Sequence, residues 1–268
     1  MALALLRRAA CGMGESVLGF PLGKNAWKGA VFMENLGYLS REEDLPHAVS
    51  YGKRHRFRAR SSGRMRPSRG YYFAKRCMDI IGSLCALAVL AVPMLVIALL
   101  IFLQDFHNPF FRQVRVTKDG RYFYMYKFRT MCVDAEQKLD ALKQRNEADG
   151  PVFKMKDDPR VTKLGKILRK MSLDELPQFL NVLGGSMSLV GPRPPIPREV
   201  EQYTPYQNHR LDVKGGLTCY WQCSGRSNIM FDEWVELDLR YIREQSLKTD
   251  VKILWKTARA VLRGDGAE

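Results

Sequence analysis

The 268-residue chain is short of acidic side chains: 28 Asp and Glu stand against 43 Lys and Arg, a formal charge of +15. Such a balance points to a polyanionic partner, either nucleic acid, anionic lipid or a phosphorylated substrate, without choosing among them. Cysteine is sparse and scattered, at positions 11, 77, 85, 132, 219 and 223. Only Cys219 and Cys223 lie close, and no second ligand pair accompanies them. Neither a disulfide framework nor a zinc site is therefore expected; free thiols in a reducing compartment fit better. The opening MALALLRRAACG has an apolar stretch of only five residues, with no positive residue before it. A signal peptide has about 7–15 apolar residues, so none is expected here. Internal repeats are absent, and residues 1–52 carry no usable pattern.

What the chain does have is a hydrophobic content of 46%, enough for one large domain or one domain with appendages. Residues 80–103, IIGSLCALAVLAVPMLVIALLIFL, run for 24 residues without a charge. At about 1.5 Å per residue a helix of this length crosses a hydrocarbon core of about 30 Å. Apolar residues go all the way round it, which argues against a buried core helix. Pro93, near its middle, removes a backbone donor and predicts a kink. Both flanks are basic. Residues 53–76 hold ten Lys or Arg and no acid, and Arg112, Arg115, Lys118, Arg121, Lys127 and Arg129 follow on the other side. Basic flanks favour the cytoplasmic side. A re-entrant hairpin satisfies both flanks, whereas a straight span satisfies one. The 53–76 tract reads as a solvated arm, a lipid anchor or a nucleic-acid contact; beside an apolar membrane segment, anionic lipid is favoured.

Beyond the membrane segment, VRVTKDGRYFYMYKF (114–128) alternates as strands do, with Asp119-Gly120 as a turn. Residues 132–148 predict a helix with Ala135, Leu139 and Leu142 on one face. Residues 161–171 predict another, with Val161, Leu164, Ile167, Leu168 and Met171 at helical spacing and Lys163, Lys166, Arg169 and Lys170 opposite. Residues 250–263 form a third amphipathic helix, its stripe made of Val251, Leu254, Trp255, Ala258, Val261 and Leu262, with Gly264 as a stop signal. That stripe suits either a membrane interface or packing on the domain.

Asp174 and Glu175 stand together in MSLDELPQFLNVLGGSMSLVGPRP (171–194). Ser172-Leu173-Asp174-Glu175 matches a capping box. Pro177 favours Asp174 over Ser172 as N-cap, because proline is harmless at the third helical position. Capping alone accounts for both acids. The same place suits chemistry: a helix start favours an ionised carboxylate and attracts phosphate, and an ionised Asp beside phosphate is a nucleophile. Arginines such as Arg169 and Arg193 shield the two anions from each other. The Gly191-Pro192-Arg193-Pro194 turn holds Arg193 stiffly.

The order of features carries a resemblance. Lys75-Arg76 with Asp79 and an apolar run broken at Pro93 come first. PFFRQVRVTKDG, YKFRTM, DPRVTKLGKILRKMSLDELPQFLNVL, MSLVGPRP and WQCSGR follow. The pattern over residues 71–263 resembles the bacterial sugar transferases, the monotopic polyprenyl-phosphate phosphoglycosyl transferases. The resemblance implies transfer of a sugar phosphate from a UDP-sugar to polyprenyl (undecaprenyl) phosphate, with release of UMP, as the first step of an exopolysaccharide or other surface glycan. It implies that Asp174 is the nucleophile and Glu175 its partner, that both contact Mg²⁺, and that Arg169, Arg193, Arg226 and Arg129 bind phosphate. It implies a re-entrant helix broken at Pro93 on the cytoplasmic face of the cell membrane. Expected partners are a UDP-sugar, polyprenyl phosphate and membrane lipid, with self-association allowed and nucleic acid not expected. Two departures stand out: Gly185-Ser186 where the family often has Gly-Asp, and Gly215-Gly216-Leu217-Thr218-Cys219 where it often has Pro-Gly-Ile/Leu-Thr-Gly.

The expected fold is α+β and mainly helical. A basic extension (1–70), poorly ordered, precedes a re-entrant membrane helix-break-helix (71–105). A cytoplasmic catalytic domain (106–268) follows, with a small β-hairpin and amphipathic interfacial helices. The rival reading is a non-catalytic, membrane-anchored basic protein that binds anionic lipid or nucleic acid. It accounts for the charge but not for the Asp-Glu pair and its arginines.

Overall fold

A computed structural model of the chain describes residues 67–142, 147, 151–152, 155, 157–223 and 230–263. The expectation for the 1–70 extension and the role given to Arg226 fall largely or wholly outside these residues. Helix α1 (Arg69–Asp105) opens where the Ser68 hydroxyl accepts from the Tyr71 N–H at 3.2 Å. It closes at Phe106, a left-handed residue whose N–H reaches the Phe102 carbonyl at 2.6 Å. Pro93 lies inside this single 37-residue helix. The expected break is therefore not an interruption: proline removes one donor, and the helical bonding on either side carries the element through. A straight helix of this length would measure about 55 Å, far more than a hydrocarbon core. By length and composition α1 is apolar enough to cross a membrane.

Both ends of α1 are tied to the rest of the chain. Near its start Lys75, Asp79 and Ser83 are buried. Asp79 Oδ1 accepts from Ser188 Oγ at 3.0 Å and from the Leu189 N–H at 2.9 Å. Lys75 Nζ donates to Asp250 Oδ2 at 3.0 Å, and the Tyr71 hydroxyl donates to the same oxygen at 3.0 Å. Near its end Ile97 and Ile101 pack with Phe128 and Leu168. Between these anchors the apolar surface is bare: Val89 is 77% and Leu95 71% exposed.

Strands β1 (Phe110–Val116) and β2 (Tyr122–Phe128) form the expected antiparallel hairpin, with Phe110 opposite Phe128 and Val116 opposite Tyr122. Its turn needs left-handed backbone at Asp119 (φ 60°) and Gly120 (φ 75°), which is why Asp-Gly stands there. Helix α2 (Ala135–Leu142) covers the first part of the expected 132–148 helix. Helix α3 (Lys163–Lys170) is capped by the Thr162 hydroxyl, which accepts from the Gly165 N–H at 2.9 Å. Its apolar face divides: Leu168 joins the cluster around Ile97 and Ile101, while Ile167 and Met171 are exposed.

Helix α4 (Gln178–Gly184) is locked onto β2 by Asn181. The Asn181 amide donates to the Tyr124 carbonyl at 2.7 Å and its Oδ1 accepts from the Tyr126 N–H at 2.9 Å. Arg76 of α1 donates to the last carbonyls of α4, Val182 and Leu183, each at 2.7 Å. Strand β3 (Ser188–Val190) pairs in parallel with β4 (Gly216–Thr218). Gly216 sits so close to Gly191 that an added Cβ would lie 2.0 Å from the Gly191 nitrogen. The second glycine of the Gly215-Gly216 departure is thus required by backbone contact. Helix α5 (Pro197–Val200) leads to α6 (Phe231–Arg243) and α7 (Leu247–Arg263). Phe123, Met125, Val182, Met187, Leu189, Val190, Tyr241 and Ile253 form the central core. No disulfide joins the described cysteines Cys77, Cys85, Cys132, Cys219 and Cys223.

Helix α7 packs on the domain along one side and leaves part of its apolar stripe bare. Its packed residues are Asp250 and Ile253, both fully buried, whereas Val251 is exposed and Trp255 is 72% exposed. The apolar stripe divides: Val251, Trp255 and Ala258 are exposed, while Leu254 packs against the central core.

Candidate active site

Asp174 and Glu175 occupy a single 3-10 turn, Leu173–Glu175, between α3 and α4. Neither caps α4. Ser172 is left-handed (φ 56°) and makes no side-chain cap bond, and Pro177 holds the N-cap position. The expected capping box and the Asp174 cap are both overturned. Once the chain reverses at Ser172, the carboxylates are aimed at β2 instead of at the N–H groups of α4.

The partner waiting on β2 is Lys127. Its Nζ lies 2.7 Å from Glu175 Oε1 and 3.5 Å from Asp174 Oδ2. Asp174 is 7% exposed. Burial pushes its carboxyl above the usual carboxylate range; Lys127 and Arg169 pull it down, and Glu175 pushes it up further. Burial also opposes ionisation of Glu175, but Lys127, Arg193 and Arg115 outweigh it and bring that group down to about 2. Adjacent carboxylates are thereby driven apart, one basic and one firmly ionised. Such a split separates a reacting group from an electrostatic partner.

Two more cations complete the surroundings. Arg193 lines a cleft with Glu175, Met125, Gln178, Leu217 and Gln222. Its loop is held rigidly. Pro192 O accepts from the Gly216 N–H at 2.9 Å, Pro194 O from Arg115 Nη1 at 2.9 Å, and Pro195 O from the Val116 N–H at 2.9 Å. Arg115 is itself buried, and burial together with Arg193 brings its guanidinium down to about 9. Cations crowded this way favour an anion between them.

Of the residues expected at the site, Asp174, Glu175, Arg169 and Arg193 act on one another electrostatically. Arg169 is steadied by Thr130, whose Oγ1 accepts from its Nε at 3.1 Å. Arg129 is engaged elsewhere: its two Nη atoms bind Asp105 at 2.5 and 2.6 Å, tying the end of α1 to β2. Arg226 lies outside the described residues. In the sequence Lys127 and Arg115 stand out only as basic residues flanking the apolar run, not as members of the site. A signal was available for Lys127, because strand alternation puts it on the face of the buried Phe123 and Met125, where a cation needs an anion.

Among the described residues no group of three or more His, Cys, Asp or Glu is arranged to hold a metal. A closed metal cage is therefore not the fit to test. The two adjacent carboxylates do fit the mode in which Mg²⁺ takes one or two carboxylates and completes its shell with substrate phosphate and water.

A long apolar helix anchored beside a buried carboxylate pair and a set of cations defines a membrane-associated protein with a site suited to phosphate-bearing ligands. The chain belongs to the bacterial sugar transferase family, which residues 70–264 match. It is 48% identical over 202 residues to the galactosyl transferase CpsE of Streptococcus agalactiae, covering 74% of this chain and 44% of that one. It is 40% identical over 203 residues to the undecaprenyl-phosphate galactose phosphotransferase of Salmonella typhimurium, covering 73% of this chain and 42% of the relative. Against the exopolysaccharide production protein ExoY of Sinorhizobium fredii it is 36% identical over 215 residues, covering 79% and 94%. The chain thus spans less than half the length of the first two relatives and nearly all of the third.

Proposed function

We propose that the chain transfers a sugar 1-phosphate from a UDP-sugar to polyprenyl phosphate, the initiating step of exopolysaccharide or surface glycan synthesis. The observation that carries this reading is the Asp174–Glu175 pair, shared by one lysine, among Arg115, Arg169 and Arg193. The names of the Salmonella and Sinorhizobium relatives agree with it.

In the first step an Asp174 carboxylate oxygen bonds to the β-phosphorus of the donor. The phosphoanhydride bond breaks and UMP leaves with its electron pair. Burial makes this carboxylate more basic than usual, which favours attack. Arg193 and Arg169 offset the repulsion between carboxylate and phosphate. Glu175, held ionised, keeps Lys127 charged and placed. In the second step a phosphate oxygen of the polyprenyl phosphate attacks the same phosphorus. The acyl phosphate bond breaks, Asp174 is regenerated and polyprenyl-diphosphate sugar departs. Mg²⁺, held by Asp174 and Glu175 together with the diphosphate, would neutralise phosphate charge.

We further propose that α1 enters and leaves by the cytoplasmic face of the cell membrane. Its start is tied through Asp79 to β3 and its end through Asp105 to Arg129, so both ends belong to one domain. A straight span would put those contacts on opposite sides of the bilayer. The exposed Trp255 and Val251 suit the interface beside it. Cysteines at the two ends of α1 should label from the same membrane face.

The deciding assay is release of UMP from a panel of UDP-sugars with undecaprenyl phosphate and Mg²⁺. Wild type should release UMP, and Asp174→Ala should not. Wild-type turnover by Asp174→Ala would end the nucleophile assignment. Release of UDP instead of UMP would make the chain an ordinary glycosyltransferase.

A further inference from the structure

Behind the Arg193 loop lies a buried ion pair that the proposed reaction does not use. Arg210, in the 3-10 turn Gln207–Asp212, is 2% exposed, and Asp238 of α6 is fully buried. Arg210 Nε donates to Asp238 Oδ2 at 2.9 Å, and its Nη2 lies 2.8 Å from the same oxygen. Its Nη1 donates to the Tyr203 hydroxyl at 2.6 Å. The guanidinium also stands 5.4 Å from the centre of the Tyr203 ring and 5.1 Å from that of Trp234. A buried pair of this kind adds little net stability: dehydration offsets most of its attraction, and apolar side chains of similar volume often serve as well. Burial indeed raises the Asp238 carboxyl to about 6 against the pull of Arg210. Stability alone does not account for the pair, which leaves the place where it holds its guanidinium.

That place is the backbone of Arg193. The carbonyls from Pro192 to Pro195 are all engaged: Pro192 O by the Gly216 N–H, Arg193 O by Arg210 Nη2, Pro194 O by Arg115 Nη1 and Pro195 O by the Val116 N–H. Three of these bonds measure 2.9 Å, and the one from Arg210 measures 3.5 Å. At that length the Arg193 carbonyl is held mainly by the positive charge that faces its dipole. We infer that Arg210, fixed by Asp238 and Tyr203, is a positioning residue for Arg193 and sets where the Arg193 guanidinium stands beside Glu175 in the cleft. The role rests on the transferase reading, in which Arg193 meets donor phosphate. A small tilt of the Arg193 peptide is amplified along its long side chain, and a misplacement of about 1 Å can cost about 100-fold in rate. The same plug backs the opposite wall: Trp234 meets Trp221 at 4.5 Å between ring centres, and Trp221 precedes Gln222, which lines the cleft with Arg193.

The test is a double-mutant cycle on the full chain in nanodiscs. Arg210→Lys keeps the charge but loses the fork that serves Asp238, Tyr203 and Arg193 together. Tyr203→Phe removes one support of that fork and keeps the ring, and it takes the place of the lysine variant if that one fails to fold. Arg193→Ala keeps the backbone carbonyl that Arg210 contacts and removes only the side chain that reaches into the cleft. UMP release with undecaprenyl phosphate and Mg²⁺, and calorimetric binding of UDP, are measured in wild type, both single variants and the double variant. Arg210→Lys should lose about tenfold in kcat/KM and in UDP affinity, the scale of one hydrogen bond to a charged group. In the Arg193→Ala background the same change should lose less than about twofold. A merely structural role gives the same loss in both backgrounds; that result would overturn the inference, as would unchanged turnover and binding in Arg210→Lys. If wild type releases no UMP, the transferase reading fails and UDP binding judges Arg210 by itself. A loss confined to chains that retain the Arg193 side chain supports the role. An equal loss in both backgrounds, or no UDP binding by wild type, overturns it.

Discussion

Replacing Lys127 by Met removes, among the described residues, the cation that touches both carboxylates. Its Nζ is 2.7 Å from Glu175 and 3.5 Å from Asp174. At an effective dielectric of about 20 each contact has a raw Coulomb energy of about 5–6 kcal/mol. Dehydration of the three charges offsets most of that. A charge-assisted hydrogen bond retains about 1.5–3 kcal/mol, equivalent to roughly 10- to 150-fold in the ionised population. Lys127 lowers both carboxyls, whereas burial and Glu175 raise Asp174. Without the lysine both acids hold their protons to higher pH. UMP release by Lys127→Met should fall roughly 10- to 150-fold near neutrality. The acid limb of its pH profile should move upward, and part of the rate should return as pH rises. Lys127→Arg should retain most of the rate. An unmoved acid limb would refute the electrostatic role. An equal loss at every pH would place Lys127 on the substrate instead of on the acids.

Asp174→Asn should abolish UMP release while leaving the melting temperature at pH 8 unchanged or higher, because the charged form is the one that burial opposes. A carboxyl raised in the folded state favours folding once protonated, so wild type should gain on the variant as pH falls; thermal melts at pH 5 and pH 8 check this. Gly216→Ala drives a Cβ to 2.0 Å from the Gly191 nitrogen and 2.6 Å from its Cα and O, all backbone atoms. It should cost about 3 kcal/mol, or about 6–12 °C in calorimetry. Trp255→Ser should leave the melting temperature nearly unchanged, since the side chain is 72% exposed. A polarity-sensitive dye on Trp255→Cys should report an apolar setting in nanodiscs; a fully aqueous signal would remove α7 from the interface.

Much was legible in the chain where physics is local. The Asp119-Gly120 turn announced the hairpin, because only left-handed backbone closes it and few residues accept that. The uncharged run at 80–103 announced α1, because length and composition alone decide what a bilayer accepts. The Asp174–Glu175 pair and Arg193 were visible through their motifs. Local reasoning failed where a neighbour distant in sequence held the deciding vote. The capping expectation assumed that the nearest N–H groups would claim the acids. The claim instead came from Lys127, 48 residues before Glu175, and Asn181 holds Lys127's strand against α4. The periodicity of α7 marked an apolar stripe but not where it faces. Asp250 divided it, because its bonds to Lys75 and Tyr71 turn its own side of the helix inward, taking Leu254 with it and leaving Val251 and Trp255 bare. Sequence alone therefore determined the hairpin, the long apolar helix and the residue types gathered at the candidate site, all set by contacts within a few residues. Tertiary structure decided which cation meets which anion and which carboxyl burial makes basic, because burial and long-range pairing exist only once the chain is folded.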